Sequence, residues 1–229
     1  MSYRYSIIVP HYDGSIDDKT FTRGMYCLLN QIEQNFEVLI YHDGPLSRPI
    51  PDIYKQFGDR CKLSITEKRE NDWGHSNRDR GIRAAQGEYI VHFNPDNILY
   101  HDALYEVSKL IDDTRIPIVR AENGKLVGSN NIIIIPVYMI GHFRYGLKSL
   151  SGMRIKPEIS PRKEHRTIFT GDPCVFANID CMQLIMKREL WMKYGGWYTK
   201  ESYSDGLIYP RFVDDHGARY VDKILGEHW

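Results

Sequence analysis

The sequence predicts an α/β fold with a mainly parallel central sheet and helices on both faces. Two observations predict it. Over the first hundred residues, short apolar runs rich in β-branched residues alternate with segments of helical apolar spacing, and parallel strands need such crossover connections. Three of the runs end in polar turn chemistry, "HYDG", "HDGP" and "NPDN". Ligands of such sheets bind beyond the carboxyl ends of the strands, so the three clusters are expected side by side as one site.

"YSIIVP" reads as the first strand and "HYDGS" as the loop after it. In "FTRGMYCLLNQI", Phe21, Met25, Leu28, Leu29 and Ile32 recur at helical spacing. "FEVLIYHDGP" is a strand ending in a turn, "DIYKQFG" a short helix closed by Gly58, and "KLSITEK" a strand by its alternation. "SNRDRGIRAAQG" has a capping residue in front, alanines inside and a glycine behind, as a helix does; it leads into the strand "EYIVHF". The second half is less regular. "NIIIIPVYMI" is a strand interrupted by Pro136, and residues 142–170, rich in Arg, Lys, Gly and Pro, read as a long loop or two irregular excursions, a length usually functional or mobile. "CMQLIMKRELWMKYGGW" passes from strand to helix and stops at Gly195-Gly196. "SYSDGLIYPRFVDDHGARYV" is helical in its middle and ends in a turn and a last strand.

At 229 residues, 42% hydrophobic and 26% charged, the chain can build one sizeable core, as a single domain of two joined halves, 1–98 and 99–229. A formal charge of zero leaves no whole-chain field to hold nucleic acid, so any anion must be held by a local site. Cys27, Cys61, Cys174 and Cys181 form no C-x-x-C pair and sit in apolar segments, which reads as buried reduced thiols. The start "MSYRYSIIVP" lacks the pattern of a signal peptide, and the run "IIIIPVYMI" is too short to span a bilayer. A cytoplasmic location without a transmembrane segment is expected, with peripheral membrane contact left open.

The order of these features resembles the family 2 glycosyltransferases. The resemblance rests on "SIIVPHYDG", where that family has a strand ending in Pro-x-Tyr, and on "EVLIYHDGP", where it has a strand ending in Asp-Asp-Gly-Ser. It rests further on "GHSNRDRGIRAAQGEYIVHFNPDN", where it has an Arg-Asn-x-Gly helix, Gly-Glu-Tyr-Ile and Asp-x-Asp, and on "CMQLIMKRELWMKYGGW". Three positions depart from the pattern: His42 stands for an acid, Asp79 for an Asn, and Asn94 for the first Asp of Asp-x-Asp.

The resemblance implies a Rossmann-like GT-A fold and an inverting, metal-dependent transfer of a sugar from a nucleotide-diphosphate donor, UDP type favoured, to a glycan or other hydroxyl acceptor, as in polysaccharide or glycoconjugate biosynthesis. Pro10, Tyr12 and Asp43 would form the base pocket, Asp43 accepting from the imide of a uracil or thymine. Arg78 and Arg80, near a helix start, suit phosphate binding, one of the two carrying it. Asp96 would hold Mn2+ or Mg2+, with Asn94 beside it giving a neutral oxygen at the cost of one charge, and His228, after the final strand, would add a ligand. Asp205 occupies the position of the general base, with Glu201, Asp214 and Asp215 as alternatives. Trp73 is a candidate sugar platform, while His75 and His165 read as solvated and Trp229 as an anchor for the tail. The run "RIKPEISPRKEHR" reads as a solvated flap or as a contact for an acidic acceptor.

The other reading of "NPDN" is plain turn chemistry with Asp96 capping a helix. From it follows the alternative function, a non-catalytic nucleotide-sugar or glycan binding protein with a degenerate site. A nucleotidyltransferase is disfavoured because "VPHYDGSIDD" lacks a glycine-rich triphosphate loop.

Overall fold

A computed structural model describes residues 3–115, 119–120, 126–127, 129–140, 166–176 and 178–229. Residues 142–165 of the expected long loop, with His165 and most of the run "RIKPEISPRKEHR", lie outside the described residues.

In chain order the elements are β1 (Tyr5–His11), α1 (Asp18–Leu29), β2 (Phe36–His42), a 3-10 helix (Asp52–Arg60), β3 (Cys61–Ile65), α2 (His75–Ala84), β4 (Tyr89–His92), β5 (Ile98–Leu99) and α3 (Ala103–Asp112). There follow β6 (Val119–Arg120), β7 (Leu126–Val127), β8 (Ile132–Ile134), β9 (Val137–Ile140), β10 (Arg166–Phe169), β11 (Leu184–Lys187), α4 (Arg188–Lys193), α5 (Ser204–His216), β12 (Arg219–Tyr220) and β13 (Gly226–His228). Seven strands build the main sheet in the order β12-β8-β11-β4-β1-β2-β3. It is parallel throughout β4-β1-β2-β3 and between β8 and β12, while β11 runs antiparallel to both neighbours. A second sheet has the order β10-β9-β13-β5, and β6 and β7 pair as a ribbon.

The pleat sends alternate side chains to opposite faces. Ile7 and Val9 of β1 join a core with Phe21, Met25 and Leu28 of α1 and Leu104 and Val107 of α3. Ile8 faces the other way, into a core with Ile82 of α2, Trp191 of α4 and Ile208 and Phe212 of α5. Helices therefore cover both faces, as expected. Pro136, which has no N–H to give a ladder, stands between β8 and β9 and passes the chain from the main sheet to the second one.

Four local expectations are corrected. Helix α1 stops at Leu29, because the Asn30 side chain turns back onto Tyr26 O (2.8 Å), and Ile32 is left exposed. Ser76 is not the cap of α2; Gly74 is, at φ 82°, and Asp72 takes the Ser76 N–H (3.0 Å). Helix α3 forms with its Leu104, Val107 and Ile111 buried, where no helix is predicted. The last strand is β13, not β12, and it is paired on both sides, to β9 and β5.

Candidate active site

The carboxyl ends of β1, β2 and β4 lie on one edge because these strands are parallel and in register. Their loops line a cavity of about 560 Å³ that includes Pro10, Tyr12, Asp43, Asn94 and Asp96. The Asn94–Asn97 loop is held from below by α1. A Cβ at Gly24 would stand 2.3 Å from Pro95 O, so only glycine allows this approach, and Arg23 Nη2 donates to Asp96 O at 2.5 Å. Asp43 is tied into the wall: its carboxylate accepts the N–H groups of Glu70 (2.8 Å) and Asn71 (3.1 Å), which pins the loop before α2. The ring of Tyr12 carries the Arg69 guanidinium 3.7 Å from its centroid. His42, standing for an acid, is fully buried; it contacts Gly44 O through Nδ1 (2.6 Å) and accepts the Asp13 N–H on Nε2 (3.3 Å), so it closes a turn instead of facing the cavity.

A second cavity of about 330 Å³ adjoins the first, and the two share Trp73, Arg78, Asn94 and Asp96. Its interior carries Asp96, Asp180, Asp205 and His228. Arg78, only 4% exposed, donates to Asn94 Oδ1 (2.7 Å) and Trp73 O (2.7 Å) and lies over Trp197. It is the fixed positive charge at the junction. Asp79, on the same helix, accepts the Trp197 N–H (3.0 Å), and a Cβ at Gly196 would fall 2.0 Å from that oxygen, so the Gly-Gly-Trp turn docks on α2 through its glycine.

The charges of the second cavity are coupled. Asp180 Oδ1 lies 3.3 Å from His228 Nδ1. Burial works against the charge of His228, but Asp180, then Asp96 and Asp205, outweigh it and push the imidazole up to about 9. Burial raises Asp96 above the usual carboxylate range. Burial and then repulsion from Asp180 raise Asp205 to about 6. Burial also acts on Asp180, but His228 outweighs it and holds this carboxyl low.

Of the residues expected in the site, Arg80 is placed elsewhere. It lines neither cavity, because its guanidinium is bound to Glu70 and to Asn77 Oδ1 (2.8 Å). Glu201, Asp214 and Asp215 are exposed and line neither cavity, so of the four candidates for the base Asp205 is the one that does. His75 is not solvated: it is 5% exposed, stacks on Trp197 and contacts Glu201 O (2.8 Å), and burial lowers it to about 4. His228 lies within the last strand, not after it. Trp229 is held by Glu227 (3.0 Å) and by Arg23 over its ring. Cys174 and Cys181 are buried and Cys27 and Cys61 half-buried; all four are free thiols that burial pushes up to about 12. Asp180 was missed. Its signal was a lone acid directly before the apolar run "CMQLIM".

Among the described residues, no three His, Cys, Asp or Glu side chains converge to enclose a metal ion. Asp96 nevertheless keeps a buried carboxylate oxygen, Oδ1, with no hydrogen-bond partner, and shares its cavity with His228. One or two protein ligands suit a hard cation that fills its shell with water and phosphate oxygens. No helix among the described residues is long and apolar enough to cross a membrane.

The family model described as glycosyl transferase family 2 matches residues 6–122. The chain is similar to an uncharacterized glycosyltransferase of Rickettsia bellii, 26% identical over 110 residues, which are 48% of this chain and 15% of that protein. It is also similar to one of Haemophilus influenzae, 27% identical over 99 residues, 43% of this chain and 38% of that protein. It thus spans well under half of the curated relatives it matches. Among solved structures, residues 1–349 of S. aureus TarS in complex with UDP superpose with a TM-score of 0.64 at 15% identity, over 98% of this chain and 60% of that one. The mannosyltransferase PcManGT of Pyrobaculum calidifontis in complex with GDP-Man and Mn2+ superposes with a TM-score of 0.59 at 12% identity, over 100% of this chain and 57% of that one.

Proposed function

Because the chain belongs to glycosyl transferase family 2 and has the GT-A fold, we propose that it moves a sugar from a UDP-type nucleotide-diphosphate donor to a hydroxyl of a glycan or other acceptor, with inversion and with a divalent cation, Mn2+ or Mg2+. The observation that carries this reading is the meeting of two cavities at Arg78, Asn94 and Asp96, with Asp205 lining the second alone. The donor would lie in the first cavity, with Pro10, Tyr12 and Asp43 around its base. Every described residue lining that cavity falls within 1–98, which supports reading this half as donor-binding; residues 99–229, which supply Asp180, Asp205 and His228 to the second cavity, would bind the acceptor.

In this reading Asp205 takes the proton of the acceptor hydroxyl as its oxygen attacks the anomeric carbon, and the bond to the diphosphate breaks with its electron pair going to the phosphate oxygen. A carboxylate raised to about 6 is ionised at neutral pH yet basic enough to accept that proton. Arg78 faces the charge that develops on the leaving group and keeps Asn94 in place. Asp96 and His228 would hold the cation, which supplies further charge stabilisation of the diphosphate. The UDP assignment draws on the TarS complexes with UDP and UDP-GlcNAc, while PcManGT was solved with GDP-Man and Mn2+.

Calorimetric titration with UDP, GDP and TDP, each with manganese and with a chelator, followed by an assay of donor consumption, tests the proposal. UDP binding that needs manganese and weakens in Asp96→Ala is expected. If no nucleotide binds, the proposal falls; if one binds but no donor is consumed with any hydroxyl acceptor or water, the non-catalytic binding function replaces it.

A further inference from the structure

Trp73 is 73% exposed, yet its backbone sits at φ 61°, between Asn71 at φ 54° and Gly74 at φ 82°. A bulky side chain rarely tolerates the left-handed region, and such strain persists only where the surroundings enforce it. Here they do. Asp43 takes the N–H groups of Glu70 and Asn71, Asp72 takes that of Ser76, and Trp73 O accepts from Arg78. The loop is locked on both sides while the indole gains little packing in return. Its ring instead borders both cavities.

Phe176 and Tyr203, 53% and 41% exposed, also line the second cavity, and their rings meet edge to face at 5.8 Å. Three accessible aromatic rings thus surround a cavity whose interior offers the carboxylates of Asp96, Asp180 and Asp205. This combination matches a ligand with an apolar C–H face and hydroxyl edges. The C–H hydrogens carry slight positive charge and meet the negative face of an aromatic ring. The hydroxyls are donors to carboxylates. Among the described residues that line it, three carboxylates stand against the two cations Arg78 and His228, so charge disfavours an anionic ligand.

Resting on the glycosyl-transfer reading above, we propose that Trp73, Phe176 and Tyr203 form the acceptor subsite, and that the acceptor is a neutral pyranoside seated with its C–H face on these rings and one hydroxyl directed to Asp205. The rings set which acceptor is used.

The experiment is saturation-transfer NMR and titration of the whole chain with a panel of methyl glycosides (glucoside, galactoside, mannoside, N-acetylglucosaminide and glucuronide), in the presence of UDP and manganese. UDP affinity is measured on the same samples. At least one neutral glycoside is expected to bind, with saturation strongest on the C–H hydrogens of one ring face. Trp73→Ala and Tyr203→Ala should each weaken it about fivefold, whereas Trp73→Phe and Tyr203→Phe should stay within about twofold. The glucuronide should bind about tenfold more weakly or less. The proposal is overturned if UDP binds and no neutral glycoside does, if the alanine variants bind the glycoside as the native chain does, or if the glucuronide binds equally well. Failure of UDP itself to bind would instead overturn the transfer reading on which this one rests.

Discussion

The two cavities are built in different ways. The larger one is lined by strand-end loops, the segment before α2 and the first turn of α2, all between Pro10 and Asp96, and its shape follows from three parallel strands ending on one edge. The smaller one gathers Asp96, Asp180, Asp205 and His228, which span 132 positions of chain, and its character comes from charges that shift one another. A site made of adjacent strand ends is a consequence of topology. A site made of coupled charges depends on packing that no single segment contains. Chemistry should therefore be concentrated in the smaller cavity and nucleotide affinity in the larger one.

The strongest way to break that division is Asp205→Asn. Sugar transfer should fall by about 10²–10⁴-fold, while UDP affinity measured by calorimetry stays nearly native. Equal loss of both would erase the distinction between the cavities.

Arg78, at the junction, should show in both. Arg78→Gln should weaken UDP binding by about 10- to 100-fold, the range of a lost charge-assisted hydrogen bond. Arg80→Gln, two residues along and tied to Glu70 outside both cavities, should change it by less than about threefold. Reversed ranks in the same titration would place the phosphates elsewhere.

The buried histidines and Asp205 act on acid stability in opposite senses. His11 and His75 are lowered to about 4 and His92 well below its usual 6.5, each mainly by burial. At pH 5 they are neutral when folded and protonated when unfolded, so stability is lost as pH falls from 6.5 towards 4. Asp205 runs the other way. Its affinity is about 6 folded against 3.8 unfolded, so it binds a proton only when folded in this window and adds stability as pH falls; Asp96 acts in the same direction. The three histidines outnumber Asp205, so on balance these groups cost stability as pH falls below 6.5. Urea unfolding with a chelator between pH 7 and 4.5 measures it. His92→Phe should flatten the slope, and Asp205→Asn should steepen it, each by about 1.4 kcal/mol per pH unit. A slope unmoved by Asp205→Asn would show that Asp205 keeps the ordinary carboxylate range.

The mildest test addresses the support of the shared loop. Gly24→Ala should cost about 1–3 kcal/mol, because its Cβ must displace the Pro95 carbonyl. The manganese dependence of UDP binding should weaken with it. Native dependence in a destabilised variant would mean that Asp96 does not rely on α1.

Much of the larger cavity was legible because its determinants are local. "HYDG", "HDGP" and "NPDN" each follow an apolar run, and a strand that ends in a turn at the sheet edge can be read from a few neighbouring residues. Asp205 was a candidate through its position after Gly-Gly-Trp, by resemblance to the family, and it lines the smaller cavity. Arg78 and Arg80 could not be separated, because two residues along a helix turn side chains about 200° apart and only the packed neighbours say which face is inward. His75 looked solvated for a similar reason: nothing in "NDWGHSN" announces the Trp197 ring that covers it. Asp180 carried only the weak signal of an acid before an apolar run, which gains meaning once β13 brings His228 within 3.3 Å of it.

The alternation of strands and helices and the edge on which the loops gather could be read from the residues, because hydrophobic period and turn chemistry act over a few positions, and the order of the motifs carried the resemblance to the family. Which charges are buried together, which arginine faces the junction and which rings stay open to a ligand are properties of the folded chain. Those properties depend on distance and desolvation between segments far apart in the chain, and these exist only once it has folded.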